Sequence, residues 1–127
     1  TLDELLEMAD IVSLHCPLTE QTRNLIDEQA LFKMKTSAIL INTARGAVVD
    51  EAALADALIR GEIAGAGLDV FVSEPEVAEH LINLDNVLLS PHVGTATTET
   101  RDEMGLRVIE NIKTFLSTGQ PRDRVER

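Results

Sequence analysis

The feature that most constrains this chain is a fourfold alternation. Four short apolar runs recur along 127 residues, and segments with helical signals separate them. The runs are D-I-V-S-L-H (residues 10–15), A-I-L-I (38–41), I-A-G-A-G-L-D-V (63–70) and N-V-L-L (86–89). A strand of a half-exposed antiparallel sheet alternates apolar with polar residues, whereas a strand apolar at consecutive positions reads as buried on both faces. Strands interleaved with helices are joined by crossovers, and crossovers link parallel neighbours. The pattern therefore predicts a parallel sheet covered on both faces, a piece of a doubly wound α/β domain.

Local signals set the boundaries. Thr1 and Glu4 have capping-box spacing, which starts a short helix over Thr1 to Ala9. The Cys16-Pro17 step ends the first strand, because proline cannot continue a central ladder. Asp27 caps a second helix carrying Leu31, Phe32 and Met34, and Asp50 opens a third that Gly61 closes. Gly65 and Gly67 weaken the third strand's propensity, which suggests that something packs against its backbone. From Thr97 to Ser117, Met104, Val108, Ile109, Ile112, Phe115 and Leu116 share one helical face, and Gly119 and Pro121 mark its stop. With no Trp or Tyr and three Phe, the core must be aliphatic.

Composition narrows the function. Eleven basic residues face twenty-two acidic ones, for a formal charge of -11. Phosphate backbones and anionic lipid call for a basic surface, so neither nucleic acid nor a membrane is expected as a partner. An anionic small molecule stays open, since one arginine in a dry pocket acts over a few ångströms. The lone Cys16 forms no internal disulfide, and no metal-ligand spacing such as C-x-x-C or H-E-x-x-H occurs. No apolar run reaches the roughly 18 residues of a membrane span. A cytoplasmic location is the expectation, and the opening Thr1 in place of Met suggests a fragment or processed form.

In open α/β sheets, ligands gather outside the carboxyl ends of the strands. His15 follows the first run, Arg45 the second, Asp69 and Glu74 the third, and His92 the fourth. Arg45 reads either as a surface arginine pairing with Asp50 or as a planar fork gripping a carboxylate. His92 alone reads as a satisfied loop residue. With Glu74 bonded to one ring nitrogen it becomes a proton donor of fixed tautomer, a role worth a factor of about 100 to 10,000 in rate. Asp69 reads equally as a loop cap, His15 as a lining residue, and His80 as surface.

Taken in order, H-C-P-L-T-E-Q-T-R-N-L-I (15–26), I-N-T-A-R-G-A-V-V-D-E (41–51), G-L-D-V-F (67–71) with E-P beyond, and S-P-H-V-G-T-A-T (90–97) resemble the D-isomer-specific 2-hydroxyacid dehydrogenases nearly end to end. The resemblance implies the C-terminal half of a Rossmann-type dinucleotide-binding domain over residues 1–127. It implies a catalytic triad of Arg45, Glu74 and His92, in which the arginine holds the substrate carboxylate and the histidine, oriented by the glutamate, passes a proton to the 2-oxo oxygen. It also implies NAD or NADP as cofactor, lined by Cys16, Thr43, Ala44, Arg45, Asp69, His92, Val93, Gly94 and Thr95, with Asp69 near the nicotinamide.

The partners implied are a small 2-oxo or 2-hydroxy acid and a second copy in a homo-oligomer. The T-A-T-x-x-T-R-x-x-M pattern (95–104) is more similar to the glyoxylate and hydroxypyruvate reductase branch than to the phosphoglycerate dehydrogenases. No G-x-G-x-x-G occurs, so the pyrophosphate loop and the substrate domain are expected upstream, and this chain alone is expected to be inactive. A non-catalytic reading stays open, a dinucleotide-sensing, protein-binding module of the dehydrogenase-like corepressor type.

Overall fold

The structure, a computed structural model, describes residues 1–125. The chain divides after His92 into two compact units. The first unit carries, in order, α1 (Leu2–Met8), β1 (Ile11–Leu14), α2 (Glu28–Lys33), β2 (Ile39–Asn42), a 3-10 turn (Gly46–Val48), α3 (Glu51–Arg60), β3 (Gly65–Leu68), α4 (Glu79–Ile82) and β4 (Val87–Leu89). The caps fall where the sequence places them. The Thr1 hydroxyl accepts from the Glu4 amide in a complete capping box. Asp27 accepts from the Ala30 amide, and Gly61 closes α3 in the left-handed region at φ 68°. The 3-10 turn and α4 carry no capping side chain, and no local sequence signal marks either.

All four strands are parallel and lie in the order β1-β2-β3-β4. The register aligns Leu14, Asn42, Leu68 and Leu89 in one row at the carboxyl ends. Gly65 explains itself here. A Cβ at this position would stand 2.9 Å from the Asn86 carbonyl oxygen, so β3 and the entry to β4 approach too closely for any side chain.

The helices do not cover both faces of this unit, contrary to the expectation above. Val12, Leu14, Leu40, Asn42, Ala66 and Leu68 point into the core, whereas Ile11, Ile39 and Leu88 on the opposite face are 64%, 40% and 69% exposed. The reason is topological. Parallel crossovers are right-handed, so strands laid down in chain order put every connecting helix on the same side. A second covered face requires the strand order to reverse, and no reversal occurs within these four strands. The core is aliphatic as composition requires, with Leu6, Ile26, Leu31, Leu40, Leu54, Ile63 and Leu81 fully buried. Phe71 is its one aromatic among the described residues, since Phe32 and Phe115 are exposed.

The second unit, from Val93, is built on α5 (Thr98–Thr118). Thr97 caps it by accepting from the Thr100 amide, and Gly119 ends it at φ 77°. The segment beyond turns back on the helix. Asp123 pairs with Arg107 (Nη2 to Oδ1, 2.6 Å), and its amide donates to Asn111 Oδ1 at 2.8 Å. None of the α5 residues is buried, and the stripe from Met104 to Leu116 is open. No helix among the described residues is long and apolar enough to cross a membrane.

Candidate active site

Because the strands are parallel and in register, the loops after β1, β2, β3 and β4 leave the sheet from one edge. Two backbone bonds extend the ladder into those loops: the Asp69 amide donates to the Asn42 carbonyl at 3.0 Å and the Ser90 amide to the Leu68 carbonyl at 2.8 Å. Beyond Ser90 the chain turns tightly, with the His92 amide donating to the Ser90 carbonyl at 3.0 Å across Pro91. Proline's fixed φ suits such a turn. His92 itself lies in the left-handed region at φ 53°, a conformation costing a side-chain-bearing residue about 1 kcal/mol.

This backbone delivers the imidazole to Glu74. His92 Nδ1 lies 2.7 Å from Glu74 Oε2, and an ionised carboxylate only accepts, so Nδ1 carries the proton between them. The other carboxylate oxygen, Oε1, accepts the Phe71 N–H at 2.9 Å. The His92 bond is the main reason that the Glu74 carboxyl is held below the usual glutamate range, with the Phe71 amide next and the charges of His92 and Arg45 adding to it. Glu74 and His92 line a recess of about 330 Å³ with Phe71, Pro75, Val77 and Pro91. His92 Nε2 is the ring nitrogen that Glu74 does not use.

Arg45 stands on a rigid turn. Asn42 is 1% exposed at the end of β2, where its Oδ1 accepts the Ala44 N–H at 3.1 Å and its Nδ2 donates to the Arg45 carbonyl at 3.0 Å. The guanidinium folds back, with Nη1 donating to the Ala44 carbonyl at 2.6 Å. It does not pair with Asp50, whose Oδ1 is taken by the Ala52 and Ala53 amides. With Thr43, Ala44, His15, Cys16, Pro17 and Leu18, Arg45 lines a second recess of about 540 Å³.

The residues expected at the site thus fall into groups. Glu74 and His92 meet, while Cys16, Thr43, Ala44 and Arg45 gather at the neighbouring strand ends. Asp69 sits half-buried at the end of β3, its amide bonded to Asn42. His15 Nε2 is 2.8 Å from Ser13 Oγ, and His80 is exposed on α4. Val93, Gly94 and Thr95 belong to the second unit, where the Ala96 amide donates to the Val93 carbonyl at 2.9 Å. Sequence reasoning overlooked two residues that shape the site: Asn42 and Glu51. A polar residue ending an apolar run was the available signal for Asn42. The doublet Asp50-Glu51 offers two acids where a helix needs one cap, and that was the signal for Glu51.

Residues 1–94 match the model of the D-isomer specific 2-hydroxyacid dehydrogenase, NAD binding domain. The chain belongs to this family. Among dehydrogenase relatives, it is 53% identical over 115 residues to a glyoxylate reductase of Korarchaeum cryptofilum, covering 90% of this chain and 35% of that protein. It is 46% identical over 117 residues to a D-3-phosphoglycerate dehydrogenase of Mycobacterium tuberculosis, covering 92% of this chain and 22% of that protein. The fold superposes with a TM-score of 0.94 and 42% identity on the NADPH-dependent glyoxylate/hydroxypyruvate reductase of Sinorhizobium meliloti in complex with NADP and malonate, over 98% of this chain and 39% of that one. The dehydrogenase-family chain therefore spans little more than a third of these relatives, or less.

Proposed function

We propose that the chain supplies the C-terminal half of the cofactor-binding domain, over residues 1–127, of an NAD(P)-dependent oxidoreductase that interconverts a D-2-hydroxy acid and its 2-oxo acid. The observation that carries this reading is the 2.7 Å bond between Glu74 and His92 at the carboxyl edge of a parallel sheet. A carboxylate that accepts from Nδ1 fixes the orientation of the ring, so Nε2 faces the substrate as the proton donor.

In reduction, Nε2 gives its proton to the 2-oxo oxygen while C2 gains a hydride, and the oxidation runs the same path in reverse. Arg45 grips the substrate carboxylate through its planar fork, for which its guanidinium must swing from the Ala44 carbonyl. The dinucleotide, when bound, supplies or accepts that hydride. The recess of Cys16, Thr43, Ala44 and Arg45 fits an elongated ligand lying across the ends of β1 and β2. The relatives named above are all called reductases or dehydrogenases, which favours the enzyme over the corepressor-like reading.

Glyoxylate and hydroxypyruvate are the first substrates to try, and a cytoplasmic homo-oligomer is the expected form. The test is steady-state turnover of the complete gene product containing these residues, with NADH and NADPH against a panel of 2-oxo acids. Replacing His92 by Gln is expected to lower kcat by a factor of about 100 to 10,000. Arg45→Ala is expected to raise KM for the acid as well as lower kcat. Near-normal turnover in both variants overturns the assignment. The 127-residue chain alone, with no G-x-G-x-x-G loop to hold a pyrophosphate, is expected to show negligible turnover.

A further inference from the structure

Glu51 is the first residue of α3, yet the helix does not use its carboxylate. Asp50 already fills the cap, with Oδ1 accepting the Ala52 and Ala53 amides at 3.1 Å each. The Glu51 side chain instead reaches the loop after β3, where Oε1 accepts the Val72 N–H at 2.7 Å. The same stretch of backbone is held from another side by Gly46. A Cβ there would stand 2.1 Å from the Phe71 carbonyl carbon and 2.4 Å from the Val72 nitrogen. The preceding amide, Phe71 N–H, donates to Glu74 Oε1. Gly46, Glu51 and Glu74 thus hold two consecutive residues in place, and the carboxylate so placed is the one that engages His92.

We propose that Glu51 is a positioning residue for the proton-transfer pair: by holding the Val72 amide it sets the turn from which Glu74 reaches His92. The proposal rests on the reading of Glu74 and His92 given above. Val72 is 54% exposed, so water can take its amide when Glu51 is absent. What is lost is then the fixed position of the turn more than a hydrogen bond, and the effect belongs to the geometry of the pair more than to folding.

Two variants separate these possibilities. Glu51→Ala removes the acceptor, whereas Glu51→Gln keeps an oxygen that can accept the same N–H. The first readout is the side-chain carboxylate titration of Glu74, followed by carbon NMR in the 127-residue chain. Glu51→Ala is expected to move its midpoint up toward that of an ordinary glutamate, and Glu51→Gln to restore it. The second readout is turnover of the complete gene product with glyoxylate. Here Glu51→Ala is expected to lower kcat about tenfold with little change in KM, as misplacement of a catalytic group does, and Glu51→Gln to recover most of the loss. A Glu74 midpoint unmoved by Glu51→Ala, or a Gln variant no better than Ala, overturns the proposal. Full turnover in His92→Gln overturns the proton-transfer reading itself, and the proposal falls with it. That result is distinct from an unmoved midpoint beside a His92→Gln enzyme that has lost its activity.

Discussion

At the scale of single residues, the Glu74–His92 bond has a stability signature with a definite sign. The folded chain lowers the Glu74 pKa, chiefly through the His92 bond, so the folded state binds this proton more weakly than the unfolded state does. The stabilisation is complete above the ordinary glutamate value of about 4.3 and is lost as pH falls through the lower folded value. The melting temperature of the native chain should therefore exceed that of Glu74→Gln at neutral pH, with the gap closing in acid. A gap that is constant from pH 7 to the acid limit would show that the carboxylate is not ionised against His92. That Glu74 and His92 share one sheet edge was legible in the sequence from the strand-end rule, but their contact was not, since α4 and β4 lie between them in the chain. The role of Asn42 could be suspected from an amide in an apolar run, but which backbone groups it satisfies depends on the turn that follows β2. Glu51 was harder still, because its partner amide comes from a different βα unit.

At the scale of elements, the strands and long helices were readable because each depends on a local signal: an apolar run, a capping acid or a closing glycine. The short pieces were not, since the 3-10 turn at Gly46–Val48 and α4 lack side-chain caps and are fixed by packing. The glycines divide in the same way, and two substitutions are expected to have opposite signs. Gly46→Ala drives a methyl into the Phe71 carbonyl carbon and should destabilise the chain by about 1 to 3 kcal/mol or more, because backbone on both sides must move. Gly105→Ala, inside α5 with nothing within 4 Å of the new methyl, should strengthen the helix by up to about 1 kcal/mol. Urea unfolding monitored by circular dichroism measures both. Equal effects at the two positions would mean that the close approach at Gly46 is not real.

At the scale of the whole molecule, sequence reasoning found the parallel sheet but expected it to be covered on both faces. Apolar runs record that a strand avoids water in its finished setting, and they do not say which chain segment shields it. The bare face of Ile11, Ile39 and Leu88, together with the unpaired outer edge of β1, leads to an expectation of concentration-dependent self-association. Sedimentation velocity over a hundredfold range of concentration tests it, and Leu88→Lys should reduce the association. A species that stays monomeric throughout would show that neither surface is adhesive. The strand order has another outcome. Each of these strands after the first pairs with the strand that immediately precedes it in the chain, as Ile39 does with Ile11 and Gly65 with Ile39, and the helices that connect them share one side. No pairing has to skip a strand, so each closure spans a single helical crossover. These four strands can therefore join the sheet one after another in the order of synthesis, each on the edge left by the strand before it.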